Sequence, residues 1–291
     1  MQTRYRFFLF FLLVGNFLFA QGAYEYLGVL RLSDTTLISY KIVFTETDGA
    51  ITGHSITDLG GPHETKSNIS GTFNLGERSF AFREEGIVYT KSPIGEVDFC
   101  FVHFNGRLKK LNTTQQIEGA FKGLYGEGEQ CIGGEMLLGS LSKILGRATK
   151  LDKKIAKNVL VKKETKQRIN LRKTLDTLNM NLINKGETLH VFSKDKSIQL
   201  VVYDAGKEDG DRINLTVNGQ LKLENHTVMK DKETIFIPLT AEQTVIEVVA
   251  LNVGTSAPNT VRIELKDSKN LIRTLTNLSE GEKAGVTILK Q

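Results

Sequence analysis

The stretch from Ile198 to Leu221 constrains the fold of this chain more than any other. It contains two apolar runs of alternating polarity, Ile198–Tyr203 and Ile213–Val217, separated by a loop rich in Asp and Gly, and it continues into Asn218-Gly219. β-Branched residues at a period of two are typical of strands, and an Asn-Gly pair readily adopts the positive φ angles of a tight hairpin. The stretch therefore predicts strand, loop, strand and hairpin in an antiparallel β-sandwich or barrel.

The same pattern extends over residues 187–291, which we interpret as one C-terminal antiparallel β-sandwich. Nine β-rich runs separated by turn residues lie between Leu189 and Leu289. The most apolar of them, Val245–Leu251, predicts a central strand, because both of its faces offer groups to bury.

A second β-rich region, residues 21–139, precedes it. About eight short runs separated by glycine-containing breaks predict an antiparallel β-barrel or sandwich. A short pattern recurs at Ile51-Thr-Gly53, Ile69-Ser-Gly71 and Ile117-Glu-Gly119. Glycine inside a strand marks a bulge, a corner or close packing, which a small and strongly curved barrel requires. The predicted fold class is therefore mainly β.

Residues 140–186 are predicted to form a basic helical connector between the two β regions. Apolar residues recur at three- and four-residue steps from Leu141 to Ile155, which predicts an amphipathic helix. The segment from Lys143 to Lys173 holds twelve Lys or Arg and two acids, whereas the net charge of the whole chain is +5. The lysines either face water or bind an anionic surface, such as an envelope component or a glycan. The residues proposed for that contact are Lys150, Lys153, Lys154 and Lys157.

The N-terminus has the features of a secretory signal peptide over residues 1–20. Arg4 and Arg6 precede an apolar core, Phe7–Val14, that is too short to span a bilayer. We therefore expect export, to the periplasm, the outer membrane or the outside of the cell, with no nucleic-acid partner. Cys100 and Cys131 are the two cysteines of the chain, and export permits a disulfide between them.

Two spaced motifs in the C-terminal region resemble a known module. The first is Tyr203-Asp-x-Gly-x-x-Asp-Gly-Asp-x-Ile213, and the second is Ala250-Leu-Asn-x-Gly-x-x-x-Pro-Asn-Thr260. Together they resemble a β-sandwich accessory module of secreted or outer-membrane-linked proteins of Bacteroidota, over about the last third of the chain. Ala257 stands where such modules commonly have proline. The resemblance implies an envelope location and an accessory or ligand-binding role, and residues 21–139 resemble no family that we recognise.

Four acids of the first motif could supply oxygen ligands to Ca²⁺, namely Asp204, Glu208, Asp209 and Asp211. Their spacing does not match an EF-hand, in which acids alternate with other residues and end in a bidentate Glu. The competing interpretation is a turn in which the Asp side chains accept hydrogen bonds from nearby backbone N–H groups.

Motifs for catalysis are missing from the sequence. The five histidines form no closely spaced pair, and the chain has no nucleophile elbow and no phosphate-binding glycine loop. We expect an exported, non-enzymatic binding or envelope-associated protein, in which the interior or mouth of the first β domain could hold a small apolar ligand. A secreted hydrolase that uses a metal or carboxylates, and a structural component of a surface assembly, are the alternatives.

Overall fold

The N-terminal half of the protein is a closed eight-stranded β-barrel. The computed structural model describes residues 23–32, 36–74, 76–93, 95, 98–111, 114–157 and 181–291. The barrel strands are β1 (Tyr24–Leu32), β2 (Leu37–Thr47), β3 (Ala50–Thr57), β4 (Thr65–Asn74), β5 (Ser79–Thr90), β6 (Phe101–Leu111), β7 (Thr114–Leu124) and β8 (Gln130–Ser140). Each strand pairs antiparallel with the next, and β8 pairs with β1 to close the barrel. The predicted β-rich runs fall in β2 to β8, with two of them in the single strand β5, whereas β1 was not among them.

The recurring Ile-x-Gly pattern lines the inside of this barrel. Ile51, Ile69 and Ile117 are buried in its core. The glycine two residues later faces the same way, where a Cβ atom would lie closer than 3.0 Å to backbone of the neighbouring strand. Close approach of strands therefore explains the pattern, since a small barrel needs such positions to curve.

The C-terminal half is a sandwich of two sheets. Its strands are β9 (Leu182–Asn184), β10 (Thr188–Ser193), β11 (Ser197–Tyr203), β12 (Arg212–Val217), β13 (Gln220–Thr227), β14 (Glu233–Pro238), β15 (Gln243–Ala250), β16 (Arg262–Lys266), β17 (Leu271–Asn277) and β18 (Lys283–Lys290). One layer has the order β13-β12-β15-β18-β10, and the other has the order β14-β11-β16-β17-β9. β9 falls within the predicted connector, yet it pairs parallel with β17.

Local predictions for the sandwich hold with one difference. The Asn218-Gly219 turn has φ angles of 50° and 76°, and it joins β12 to β13 as predicted. β15 is central, between β12 and β18. It buries one face rather than two, because Ile246 and Val248 enter the core while Val245 is 40% exposed on the outer face.

Strand β5 joins the two halves. Its register against β4 shifts near Gly86, which has φ of 103°. Beyond this bulge Val88 and Tyr89 leave the barrel core and pack in the core of the sandwich. Thr90 and Tyr89 pair with β10, so the barrel and one layer of the sandwich form a continuous sheet.

The predicted amphipathic helix is present as α1 (Leu141–Lys157), which follows β8 directly. Leu141 and Ala148 are buried, and α1 contacts β1 and β8. Residues 1–20, for which the sequence predicts a signal peptide, lie outside the described residues, as does part of the connector, residues 158–180. Among the described residues, no helix combines the length and apolarity needed to cross a bilayer.

Candidate ligand site

A pocket of about 710 Å³ opens at the end of the barrel where β1 and β5 begin and β2 and β4 end. It is lined by Tyr24, Tyr26, Phe44, Glu46, Gly49, Phe73, Asn74, Gly76, Phe80 and Leu108. We call it the barrel mouth. Its size falls within the range of small-molecule sites, which are concave and mostly apolar.

Aromatic rings form the wall and floor of the barrel mouth. Tyr24 lies at the rim and is 43% exposed, whereas Tyr26, Phe44 and Phe80 are buried. Phe44 stacks on both tyrosines, with ring centroids 5.4 Å from Tyr24 and 6.0 Å from Tyr26. Phe73 meets Phe80 edge to face at 6.1 Å. The site therefore offers one exposed ring held in place by buried ones.

Below the mouth, rings fill the barrel. Phe80 contacts both Phe82 and Phe104, with centroids 5.7 and 6.1 Å away, and Phe82 stacks on Tyr40 at 6.4 Å. The ring column ends at a buried carboxylate, Glu84. The pocket is therefore confined to the mouth, and the interior beneath it is packed core.

Glu84 is a satisfied acceptor inside the barrel. Its carboxylate accepts hydrogen bonds from Tyr40 Oη at 2.9 Å, Ser55 Oγ at 2.5 Å and the Val102 backbone N–H at 2.7 Å. Burial raises the pKa of Glu84, and the three donors oppose that rise. Because its oxygens are occupied and buried away from the mouth, we assign Glu84 to the stability of the barrel.

The polar groups of the barrel mouth are few. Glu46 alone is charged among the pocket-lining residues, and its Oε1 accepts a hydrogen bond from the Gly49 N–H at 2.7 Å. Burial, with a smaller effect of Tyr24, raises the pKa of Tyr26 to about 12, so its hydroxyl stays neutral. These features favour a neutral ligand with a ring or another flat apolar face over an anion.

Helix α1 lies beside the mouth. A smaller cleft of about 430 Å³ separates the start of β1 from the first turns of the helix. The four lysines named from the sequence are all exposed toward its C-terminal end. Within the described part of the chain, none of them takes part in an ion pair.

The acidic loop of the sandwich lies between β11 and β12, and its acids mostly bind backbone. Asp204 Oδ1 accepts a hydrogen bond from the Gly206 N–H at 2.6 Å, and Glu208 Oε1 accepts one from the Lys230 N–H at 2.7 Å. Asp211 Oδ2 accepts one from the Thr260 N–H at 2.8 Å, while its buried Oδ1 has no hydrogen-bond partner among the described residues. Burial raises the pKa of Asp211, and the charges of Asp209 and Asp204 add to that rise.

Hydrogen bonds also join the two motifs of the resemblance. Asn252 accepts from the Arg212 N–H at 2.7 Å and donates to the Gly210 carbonyl at 2.9 Å. The Thr255 N–H donates to the Asp209 carbonyl at 2.9 Å. Gly254, with φ of 55°, leaves room for Asp209, since a Cβ atom there would lie 2.6 Å from the Asp209 carbonyl oxygen. The two motifs therefore fix each other's conformation.

Among the described residues, no three His, Cys, Asp or Glu side chains lie close enough together to hold a metal ion. The Ca²⁺ hypothesis for the acidic loop remains a prediction. Among the histidines, His54 lies on β3 and His103 on β6, and His63 lies 3.1 Å from Ser92 Oγ in the loop region between the domains.

The predicted disulfide joins Cys100 to Cys131, whose Cα atoms are 6.1 Å apart. It links the starts of β6 and β8 at the end of the barrel opposite the mouth. Gly123 of β7 passes beside it, at a position where a Cβ atom would lie 2.2 Å from Cys100 Sγ and 2.6 Å from Ile132 Cγ1. The disulfide is therefore structural and distant from the candidate site.

The sequence indicated the barrel mouth in general but not its residues. Tyr24-x-Tyr26 was an available signal, because residues two apart face the same way on a strand. Comparisons of the chain with protein-family models, with characterised proteins and with solved structures found no match.

Proposed function

We propose that the chain is an exported, non-enzymatic binding protein whose ligand site is the barrel mouth. The exposed ring of Tyr24, held against Phe44 above a floor of buried rings, carries this proposal. Such a platform binds flat apolar groups or the apolar face of a sugar ring, because stacking adds to the burial of apolar surface. The ligand is a small neutral molecule.

The proposal is tested with N-phenyl-1-naphthylamine, an uncharged aromatic dye that fluoresces in apolar surroundings. The full chain should bind it saturably, and Tyr24→Ala should weaken binding roughly fivefold, as expected for about 1 kcal/mol of lost ring stacking. The matched control is Tyr125→Ala, since Tyr125 is 40% exposed in the turn after β7, at the other end of the barrel. Equal weakening by both variants, or no binding at all, would contradict the proposal.

A second proposal concerns envelope association through α1. The helix packs the beginning of its apolar stripe against β1 and β8, while Leu151 near its end is 47% exposed. Exposed lysines surround that end, and none of them forms an ion pair with a carboxylate of the described residues. A basic helix with an unburied apolar residue favours adsorption to an anionic surface, such as a bilayer containing anionic lipid.

A further inference from the structure

Strand β14 is the outer strand at one edge of the sandwich. It spans six residues, pairs with β11 in a register without shifts, and pairs with no other strand of the described residues. Phe236, near its middle, is 73% exposed. The edge of a sheet carries unpaired backbone N–H and C=O groups, which can bond to a strand of another chain.

The other outer strands of the sandwich, among those described, are protected from such pairing. β13 has register shifts against β12, and Asn225 within it has φ of 43°. β9 is three residues long. Bulges and very short strands are two of the ways in which proteins prevent their sheet edges from pairing. β14 has neither of these features, so it is the sandwich edge best suited to bind another strand.

The hydrogen bonds to β11 determine which backbone groups of β14 are free. The Leu239 N–H donates to the Lys196 carbonyl at 2.8 Å, in the same register as the strand itself. Every second residue of an antiparallel strand bonds to a given neighbour, so Thr234, Phe236 and Pro238 point their backbone groups away from β11. Pro238 has no N–H. The free donors of this edge are therefore the N–H groups of Thr234 and Phe236.

A second copy of the same edge satisfies both donors when the two strands run antiparallel about a two-fold axis at Ile235. Thr234 of each copy then lies opposite Phe236 of the other, and each of these pairs exchanges two backbone hydrogen bonds. An axis at Phe236 would instead place Thr234 opposite Pro238, which cannot donate to the Thr234 carbonyl. The backbone of the edge therefore favours the axis at Ile235.

The side chains on both faces of β14 suit the same register. Ile235 packs, partly buried, against the sandwich core, and at the axis it meets Ile235 of the other copy. On the outer face the two Phe236 rings lie diagonally across the strands, within reach of each other for aromatic side chains. Their contact covers the most exposed large hydrophobic side chain among the described residues.

Opposite charges flank the edge. Glu233 begins β14, Lys196 lies beside its other end, and both are exposed. In the register centred on Ile235, Glu233 of one copy and Lys196 of the other have Cα atoms about 12 Å apart, a distance that two long side chains can span. The two-fold axis repeats this pairing at the other end of the interface.

We propose that two copies of the chain associate through β14, so that one layer of each sandwich continues into the other. The interface is isologous, because the same edge is used by both copies. It does not depend on a ligand in the barrel mouth, since β14 contributes none of the residues that line that pocket.

Cysteine variants of the full chain test the register, because its two native cysteines are already joined. The two Ile235 Cα atoms lie about 4.5 Å apart across the axis, within the range that a disulfide can bridge, whereas the two Thr234 Cα atoms lie about 9 Å apart, beyond it. Ile235→Cys should therefore form a disulfide-linked dimer on mild oxidation at least tenfold faster than Thr234→Cys, although Thr234 is the more exposed. Non-reducing electrophoresis measures both rates. No linked dimer of Ile235→Cys, or equal rates for the two variants, would overturn the proposal.

Sedimentation velocity over a dilution series measures the dimer without a cross-link. Phe236→Ser and Thr234→Pro should each weaken association at least roughly tenfold, through loss of the ring contact or of one N–H donor per copy. Proline is tolerated there in the single chain, because the Thr234 N–H faces away from β11. The matched control is Leu221→Ser, which removes a side chain that is 46% exposed on β13 and should leave association unchanged. A native chain that is monomeric at every concentration, or equal weakening by Phe236→Ser and Leu221→Ser, contradicts pairing through β14.

Discussion

Replacing Gly53 by alanine tests why the barrel needs its internal glycines. Gly53 lies on β3 and faces the barrel interior. A Cβ atom there would lie closer than 3.0 Å to Val43 O, Val43 C and Phe44 Cα on β2. All three are backbone atoms, so no side-chain rotation can relieve the contact. The two strands would have to separate or the barrel would have to flatten at this point.

The expected loss of stability is large for the addition of one methyl group. Overpacking of a filled core costs about 1–3 kcal/mol, and the upper end applies because the obstacle is backbone. At roughly 2–4 °C per kcal/mol for a protein of this size, about 3 kcal/mol corresponds to a fall of about 6–12 °C in melting temperature. Calorimetry or circular dichroism measures that fall directly.

Gly139→Ala is the matched control on β8. A Cβ atom at that position would lie 3.5 Å from Ile144 Cδ1, an ordinary contact. Alanine there should be neutral or should stabilise by up to about 1 kcal/mol, since it reduces the freedom of the unfolded chain. A loss of less than about 1 kcal/mol in Gly53→Ala, or equal melting temperatures of the two variants, would contradict a role of backbone crowding at Gly53.

Three further predictions follow from the sandwich, the disulfide and the helix. Because burial raises the pKa of Asp211 above its ordinary value, its contribution to stability is present at acidic pH and is lost as pH rises through the raised pKa. Asp211→Asn should therefore raise the urea midpoint at pH 7 but not at pH 3, and it should leave any effect of added Ca²⁺ on the melting temperature below about 1 °C. A larger Ca²⁺ effect that Asp211→Asn abolishes would support a metal site. Replacing Cys100 and Cys131 by serine should lower the free energy of unfolding by about 2–4 kcal/mol, as expected for a closed loop of this length, and an unchanged urea midpoint would contradict that role. Binding to vesicles that contain anionic lipid, measured by cosedimentation, should fall at least tenfold when the four exposed helix lysines become Gln, whereas four sandwich lysines changed to Gln should have little effect, and equal losses would refute docking through α1. The helix set is Lys150, Lys153, Lys154 and Lys157, and the control set is Lys194, Lys222, Lys230 and Lys269.

Local patterns predicted most strands and turns correctly because the information lies in neighbouring residues. Period-two alternation identified the strands, and Asn218-Gly219 identified a hairpin. The Ile-x-Gly pattern indicated a strongly curved barrel, since both residues point inward from one strand. The helix from Leu141 was equally visible, because its apolar residues recur on one face.

Other features depend on contacts between residues distant in the chain, and the sequence did not indicate them. Closure of the barrel by β8 on β1, and the continuation of β5 into the sandwich, are matters of register between separate strands. The exposure of Tyr24 above Phe44 follows from that register.

The most direct test of the proposed function is the location of a bound neutral aromatic molecule. Amide shifts of the full chain are followed during titration with N-phenyl-1-naphthylamine. We predict that the largest changes fall at Tyr24, Phe44 and Phe73, and that they are lost in Tyr24→Ala. Changes centred on the sandwich, or no saturable change anywhere, would contradict the assignment of the barrel mouth as the ligand site.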